Sequence, residues 1–416
     1  MTAADIAVAE AVAAAARRGR LAVVATLVRV TGDFDLAEDC WQDALERALL
    51  RWPVDGVPDN PEGWLSVAAR HRAYDVLKRR RTEREKLPHL HELTERSAEP
   101  DASGLTDDRL KLLFACCHPA LPLAGRVALT LRAVTGLSTR EVARAFLVTE
   151  ATMGQRLLRT KSKIAHAGIT LRVPAPERIA DRIEAVLAVV YLVFNEGYLA
   201  TEGEPLRDGL AADAIEIGTL LVDLLPQDDE VRALLALMLL QHSRRAARLD
   251  AHGELVPIDE QDRTLWDRDR IAAGIRTLTS VASDGVPGPY QLQAAIAVLH
   301  ATAPSAAETD WERIVLAYDA LLALQDSPVV ALNRLIAVSY RDGPSAALAD
   351  LPDLERRLDG YPAAAAARAD FLRRAGRRTE AVAAYERAIG LANTDAERRF
   401  LRRRLLLTEQ PAVRRG

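Results

Sequence analysis

No stretch of this chain alternates apolar and polar residues in the two-residue rhythm of a strand. Apolar residues instead recur three and four apart, in runs cut by proline, glycine or short polar turns. In a sequence that is 49% hydrophobic but only 5% aromatic, that rhythm predicts an all-α protein. At 416 residues the chain exceeds what one core organises, so two or three domains are expected.

Punctuation divides the chain. Residues 5–86 read as mainly helical, broken at TGDFD (31–35) and at WPVDGVPDNPEG (52–63), where Pro and Gly forbid a continuous helix. Residues 87–106, LPHLHELTERSAEPDASGLT, are polar with Pro, Ser and Gly and read as a linker. Residues 107–172 form a second small helical unit, and residues 173–416 a helical C-terminal extension. In that extension AYDALLAL (317–324) returns as AYERAIGL (384–391), 67 residues later and close to two periods of ~34, the length of a tetratricopeptide helix pair. The last repeat places Gly376 at its turn and Ala381, Tyr385 and Ala388 inside its second helix. A TPR-like solenoid is the expectation there, although from 174 to about 300 the period is degenerate.

The total charge of −4 argues against nucleic acid, but its distribution argues the other way. Residues 1–172 carry 26 Lys and Arg against 22 Asp and Glu; residues 173–397 carry 22 against 36; residues 398–416 carry 7 against 1. A basic front half, an acidic extension and a basic tail are therefore joined in one chain.

Three stretches carry chemistry. STREVARAFLVTEATMGQRLLRTKSKI (138–164) has the spacing of a helix-turn-helix, with Ala143, Leu147, Thr149 and Met153 at its small, turn, capping and packing positions. Leu147 stands where Gly is usual. Ser138 and Thr149 can cap the two helices, because their hydroxyls accept from backbone N–H groups that lack helical partners. With Met153, Leu157 and Ile164 inward, Thr152, Gln155, Arg156, Arg159 and Lys163 face out beside Thr149; Gln and Arg are side chains that grip adenine and guanine edges bidentately. Two core helices with a solvated basic face would leave the same pattern. In PEGWLSVAARHRAYDVLKRRR (61–81), Leu65, Ala69, Ala73, Val76 and Leu77 gather on one side at ~100° per residue. Arg70, His71, Tyr74, Lys78 and Arg81 gather on the other, charges for phosphate and a ring for stacking. DLAEDCWQDALERAL (35–49) buries Ala37, Trp41, Ala44, Leu45 and Ala48 and presents Asp39, Gln42, Asp43 and Glu46, a face that DNA repels and a basic protein suits.

In this order the parts resemble bacterial extracytoplasmic-function sigma factors of the sigma-70 family, over residues 5–170. AVVYLVFNEGY, DEQDRTLWDRDRI, GPYQLQAAIAVLHA and SPVVALNRLIAV resemble the C-terminal extension of a subgroup with tetratricopeptide-like repeats. The resemblance implies sigma region 2 at 5–86 and region 4 at 107–172. It implies that Asp39, Gln42, Asp43 and Glu46 dock on the β′ clamp helices of core RNA polymerase. It implies that Arg70, His71, Tyr74, Lys78 and Arg81 read and melt the −10 element, with Asp59 and Asn60 capturing a flipped base. Thr149, Thr152, Gln155, Arg156, Arg159 and Lys163 would read the −35 element. His71 stands where relatives often carry Asn. The alternative is a helix-turn-helix regulator with a TPR-like sensing domain, which needs neither the acidic face nor the 61–81 helix.

Other chemistry finds little support. Cys116, Cys117 and His118 are adjacent, so on a helix they diverge, and they lack metal-ligand spacing. There is no phosphate loop, dinucleotide fingerprint or catalytic triad order, so neither an enzyme nor a cofactor is expected. Three cysteines are too few for a disulfide framework, and no apolar run approaches the ~20 residues of a membrane span. A cytoplasmic protein without membrane contact is expected. Two roles suit the acidic extension: folding back over the basic modules within the chain to gate them, or adding contacts to polymerase or an activator.

Overall fold

The computed structural model describes residues 3–85, 108–146, 148–167, 169, 176–198, 208–281, 285–392 and 394–409. The expected linker at 87–106 and the turn residue Leu147 lie outside these. Among the described residues every regular element is a helix, apart from one bridge pairing Leu249 with Leu255. The chain divides into two compact units, Met1–Val193 and Phe194–Gly416.

The first unit opens with α1 (Ala3–Thr31), α2 (Phe34–Asp55) and α3 (Pro61–Glu85), each packed on the other two. Gly32 ends α1 with a positive φ of 67°, and the Asp33 carboxylate caps α2 by accepting from the Asp35 and Leu36 N–H groups. Alanines at Ala37, Ala44, Ala48, Ala69 and Ala73, all fully buried, let these helices approach closely around Leu27, Trp41 and Leu65.

One expectation fails here. The loop predicted from Trp52 begins only after Asp55, because α2 continues through Pro53. A proline in the last turn removes one backbone donor, and this side of the helix is open to water: Leu49, Leu50 and Val54 are exposed, so solvent can serve the freed carbonyl. Trp52 meanwhile is buried edge-on to Trp64, with ring centroids 5.6 Å apart, and Gly56 at φ 83° donates to the Trp52 carbonyl. Tertiary burial of one indole outweighs the local preference to stop.

Then come α4 (Asp108–Cys116), α5 (Leu123–Ala133), α6 (Thr139–Ala145) and α7 (Glu150–His166). Ser138 and Glu141 form a reciprocal capping box on α6: the Ser138 Oγ accepts from the Glu141 N–H, and the Glu141 carboxylate from the Ser138 N–H. The unit extends past residue 172 into α8 (Pro176–Tyr198), whose Arg182 donates to the Phe114 carbonyl at 3.4 Å.

The second unit holds α9 (Asp208–Leu224), α10 (Asp229–His242), α11 (Arg268–Thr279), α12 (Pro289–Thr302), α13 (Trp311–Leu324), α14 (Pro328–Arg341), α15 (Pro344–Arg357), α16 (Pro362–Arg374), α17 (Arg378–Leu391) and α18 (Asp395–Glu409). From α12 onward each helix packs against the next, the arrangement of a solenoid. Helices α12, α14, α15 and α16 start on proline, whose missing N–H costs nothing in a first turn. The residues of the expected last repeat form the two helices α16 and α17, turned by Gly376 at φ 74°. Its Ala381, Tyr385 and Ala388 join Ala365, Ala369, Leu372 and Leu401 in one core. Between α10 and α11 the chain leaves the helical stack for two 3-10 turns, Arg245–Ala247 and Arg263–Leu265, and the small hairpin between them.

Candidate functional site

Helix α7 has a buried face and an exposed polar face. Met153, Leu157, Thr160 and Ile164 are buried, and on the opposite side Thr152, Gln155, Arg159 and Lys163 are exposed. Thr149 caps the helix, its Oγ1 accepting from the Thr152 N–H at 3.2 Å and lying 2.9 Å from the Thr152 hydroxyl. These two hydroxyls are therefore partly committed to holding the helix start. Arg156 is half-buried with its guanidinium 5.2 Å from the Phe146 ring centroid, a contact that fixes its direction. Arg159 donates back through its Nε to the Gln155 carbonyl at 3.3 Å, and it stays exposed beside Gln155 and Lys163.

Helix α3 exposes Arg70, His71, Tyr74 and Lys78 together, with Tyr74 57% accessible. A ring so exposed is not a core residue, and amid cations it offers a face on which a base can stack. The Arg81 side chain lies outside the described residues. In the loop before α3, Asp59 is exposed, while Asn60 spends its amide oxygen on the Gly63 N–H at 2.9 Å as the helix cap. A Cβ at Gly63 would stand 2.6 Å from the Asn60 Nδ2, so a side chain there would have to push the capping carboxamide aside.

The acidic face on α2 is real but not purely acidic. Asp39, Gln42 and Glu46 are exposed, whereas Asp43 is half-buried between Arg47 at 2.6 Å and Arg72 at 3.3 Å. Arg72 and Arg80, both from α3, turn away from the exposed basic face to line a groove of about 480 Å³ with Leu36, Asp39, Gln42 and Glu46. Periodicity did not mark these two arginines as separate from their neighbours.

Sequence reasoning missed a further set altogether. Glu38, one residue before the predicted face, is turned inward with its side chain 16% exposed. It accepts from Arg20 at 2.8 Å and from Arg132 at 3.3 Å. Arg20 also donates to the Ala133 and Arg132 carbonyls at 2.9 and 3.1 Å, and Arg132 to the Leu137 carbonyl at 3.2 Å. Burial lowers the Arg20 pKa from its ordinary value, Glu38 opposes that shift, and Arg132 adds to it. Arg29 pairs with Asp108 at 2.8 Å and Lys161 pairs with Asp35, so α1 and α2 are joined to α4, α5 and α7 at three places. No local pattern signals these partners; they lie 18 to 126 residues apart.

The Cys116–Cys117–His118 run is structural. Both thiols are buried, burial pushes Cys117 up to about 11 and Cys116 well above its usual value, and Cys117 Sγ lies 3.6 Å from the Thr130 hydroxyl. His118 Nδ1 accepts from the Ala120 N–H at 3.1 Å. Among the described residues no group of His, Cys, Asp or Glu is placed to hold a metal ion, and no helix is long and apolar enough to cross a membrane.

Known proteins resemble this chain in the same order of parts. Residues 16–83 match sigma-70 region 2, residues 111–164 match sigma-70 region 4, and residues 182–282 match a family of unknown function (DUF6596). An uncharacterized protein of Rhizobium meliloti is 45% identical over 395 residues, covering 93% of each chain. "Probable ECF RNA polymerase sigma factor SigI" of Mycobacterium tuberculosis is 31% identical over 210 residues, which is 49% of this chain and 69% of that protein. No solved structure matches. With both sigma modules present in order, helical throughout, and followed by a helical extension, the chain belongs to the extracytoplasmic-function (ECF) sigma factors of the sigma-70 family.

Proposed function

We propose that this protein directs core RNA polymerase to promoters bearing −35 and −10 elements, and that its C-terminal helices modulate that activity. The observation that carries the reading is a separation of faces within one unit. Acid is exposed on α2, cations and a ring on α3, and Gln155, Arg159 and Lys163 on α7. A DNA-only regulator needs the last of these but has no use for the first.

In this reading α7 enters the major groove, where Gln155 and Arg156 discriminate bases and Lys163 meets phosphate. Arg70, His71, Tyr74 and Lys78, with Arg81, engage the −10 element, and Asp59 with the free amide group of Asn60 holds an extruded base. Asp39, Gln42, Asp43 and Glu46 meet the clamp helices of the β′ subunit. The exposed Leu49, Leu50 and Val54 further along α2 add apolar surface of the kind a protein partner covers. The chemistry of RNA synthesis belongs to the polymerase; sigma factors are not a class of enzymes. The α16–α17 pair fits a tetratricopeptide-like repeat, and an acidic extension in the same chain as basic readers suits gating of those readers.

Run-off transcription with purified core polymerase tests this. Promoter-dependent transcripts are expected from the full chain and a sharp loss on Tyr74→Ala. If no promoter supports a transcript, with the full chain or with one ended after residue 198, the reading is wrong.

A further inference from the structure

The basic tail and the acidic extension, noted as opposite charges along the sequence, meet inside the second unit. The hairpin after α10 contains DAHGELVPIDEQD, residues 250–262. Each carboxylate from Asp250 to Glu260 is held by a helix far along the solenoid. Arg403 of α18 reaches Asp250 at 3.1 Å, Glu254 at 3.7 Å and the Leu255 carbonyl at 3.2 Å. Arg399 reaches Glu254 at 3.5 Å, Arg404 pairs with Glu260, and the Tyr340 hydroxyl of α14 donates to Asp259 at 3.0 Å. Tyr340 is itself fixed between Trp311, stacked at 4.3 Å, and the Arg374 guanidinium at 4.0 Å. Solenoid helices ordinarily touch only their neighbours. A segment that follows α10 and is held by both α14 and α18 therefore crosses the stack as a ligand would.

The hairpin also keeps its own shape. The Asp250 carboxylate accepts from the His252 and Glu254 N–H groups at 2.9 Å each, Gly253 turns at φ 73°, and the Val256 N–H donates to the Arg248 carbonyl at 2.8 Å. Its Ile258 packs against the core cluster of Leu240, Trp266 and Ala301. Most of the ion pairs that hold its acids are partly open to water: Arg399 is 47% exposed, Arg403 35% and Glu260 44%, with Arg404 the most covered at 12%. Such pairs are screened and individually weak, so they exchange readily.

We propose that Tyr340, Arg399, Arg403 and Arg404 form a docking surface for an acidic peptide segment of a partner protein, and that the hairpin 250–262 is the occupant supplied in cis. A partner binds by displacing it. Charge complementarity commits the surface to acid: the basic side chains converge on carboxylates and a backbone carbonyl, the groups that an acidic peptide repeats. This inference does not depend on promoter recognition.

The test uses the full chain and a fluorescein-labelled peptide DAHGELVPIDEQD followed by anisotropy. The tethered hairpin competes at an effective concentration on the order of millimolar, so the unaltered protein should bind the peptide weakly. Asp250→Asn, Glu254→Gln and Glu260→Gln together should tighten binding at least ten-fold, and adding Arg403→Gln and Arg404→Gln should abolish it. A triple variant that keeps its helical circular dichroism but binds no peptide overturns the proposal and makes the hairpin a structural strap. So does a triple variant that binds a single-stranded oligonucleotide of equal length more tightly than the peptide. If the triple variant does not fold, hydrogen exchange of the unaltered protein decides. A short hairpin is not stable once detached, so millimolar peptide should strip protection from the Asp250, His252, Glu254 and Val256 amides. Unchanged protection overturns the displacement.

Discussion

The two units use charge in opposite ways. In the first, a single carboxylate, Glu38, is shared by two arginines that also satisfy backbone carbonyls, and all three side chains are at most 25% exposed. In the second, several carboxylates of one hairpin are spread over Arg399, Arg403 and Arg404 in pairs that water reaches. The first arrangement is costly to break because any remaining partner is left charged and desolvated. The second is a set of small, exchangeable terms. Burial, not the number of ion pairs, decides which joint is firm and which can open.

Removing Glu38 is the harshest test of that contrast. Glu38→Ala leaves Arg20 and Arg132 facing each other without their anion, so a loss of about 3 kcal/mol is expected in urea unfolding of the first unit. A loss under about 1 kcal/mol would place this joint with the exposed pairs. Acid should act on the second unit next. His300 sits edge-on to Trp311 at 5.3 Å, and burial, then Arg244 and Arg263, push its pKa down to about 4. The folded state thus favours the neutral ring. The stabilisation is complete above the unfolded pKa of about 6.5 and is lost as pH falls towards 4, by at most about 3 kcal/mol. His300→Gln should flatten that part of the calorimetric pH profile.

A smaller effect belongs to Gly136. Its φ is 82°, and a Cβ would lie 2.8 Å from the Arg20 guanidinium nitrogen. Gly136→Ala should cost about 1–2 kcal/mol from backbone strain, plus whatever Arg20 yields in moving, read from the denaturation midpoint. The mildest is Arg403→Ala, expected to cost about 0.5 kcal/mol and to vanish in high salt. A loss as large as that of Glu38→Ala would erase the distinction between the two joints.

Much of this was legible from local pattern. The break at Gly32 and Asp33, the caps Ser138 and Thr149, the buried row Met153, Leu157 and Ile164, and the Gly376 turn each depend on residues within a few positions of one another. So do the exposed faces of α3 and α7, because helical periodicity separates the two sides. Whatever rests on distant partners was not legible. Glu38 differs from Asp39 by one position on a helix face, and only its distant partners, Arg20 18 residues before and Arg132 94 residues later, show which of them turns inward. The extension of α2 through Pro53 needed Trp64, and the path of the acidic hairpin needed α14 and α18. The degenerate stretch after 174 reflects the same limit, since a segment that leaves the helical stack breaks any repeat.

The indole contact between Trp52 and Trp64 bears on the loop it brackets. Gly56 is tied back to the Trp52 carbonyl and Asn60 forward to the Gly63 N–H, so the loop is restrained at both ends. Fixing a free backbone residue costs about 1–2 kcal/mol in conformational entropy. Much of that cost has been met in folding, before any ligand arrives. Asp59 thus stands on a restrained loop, and any group that met it there would not have to order a floppy chain.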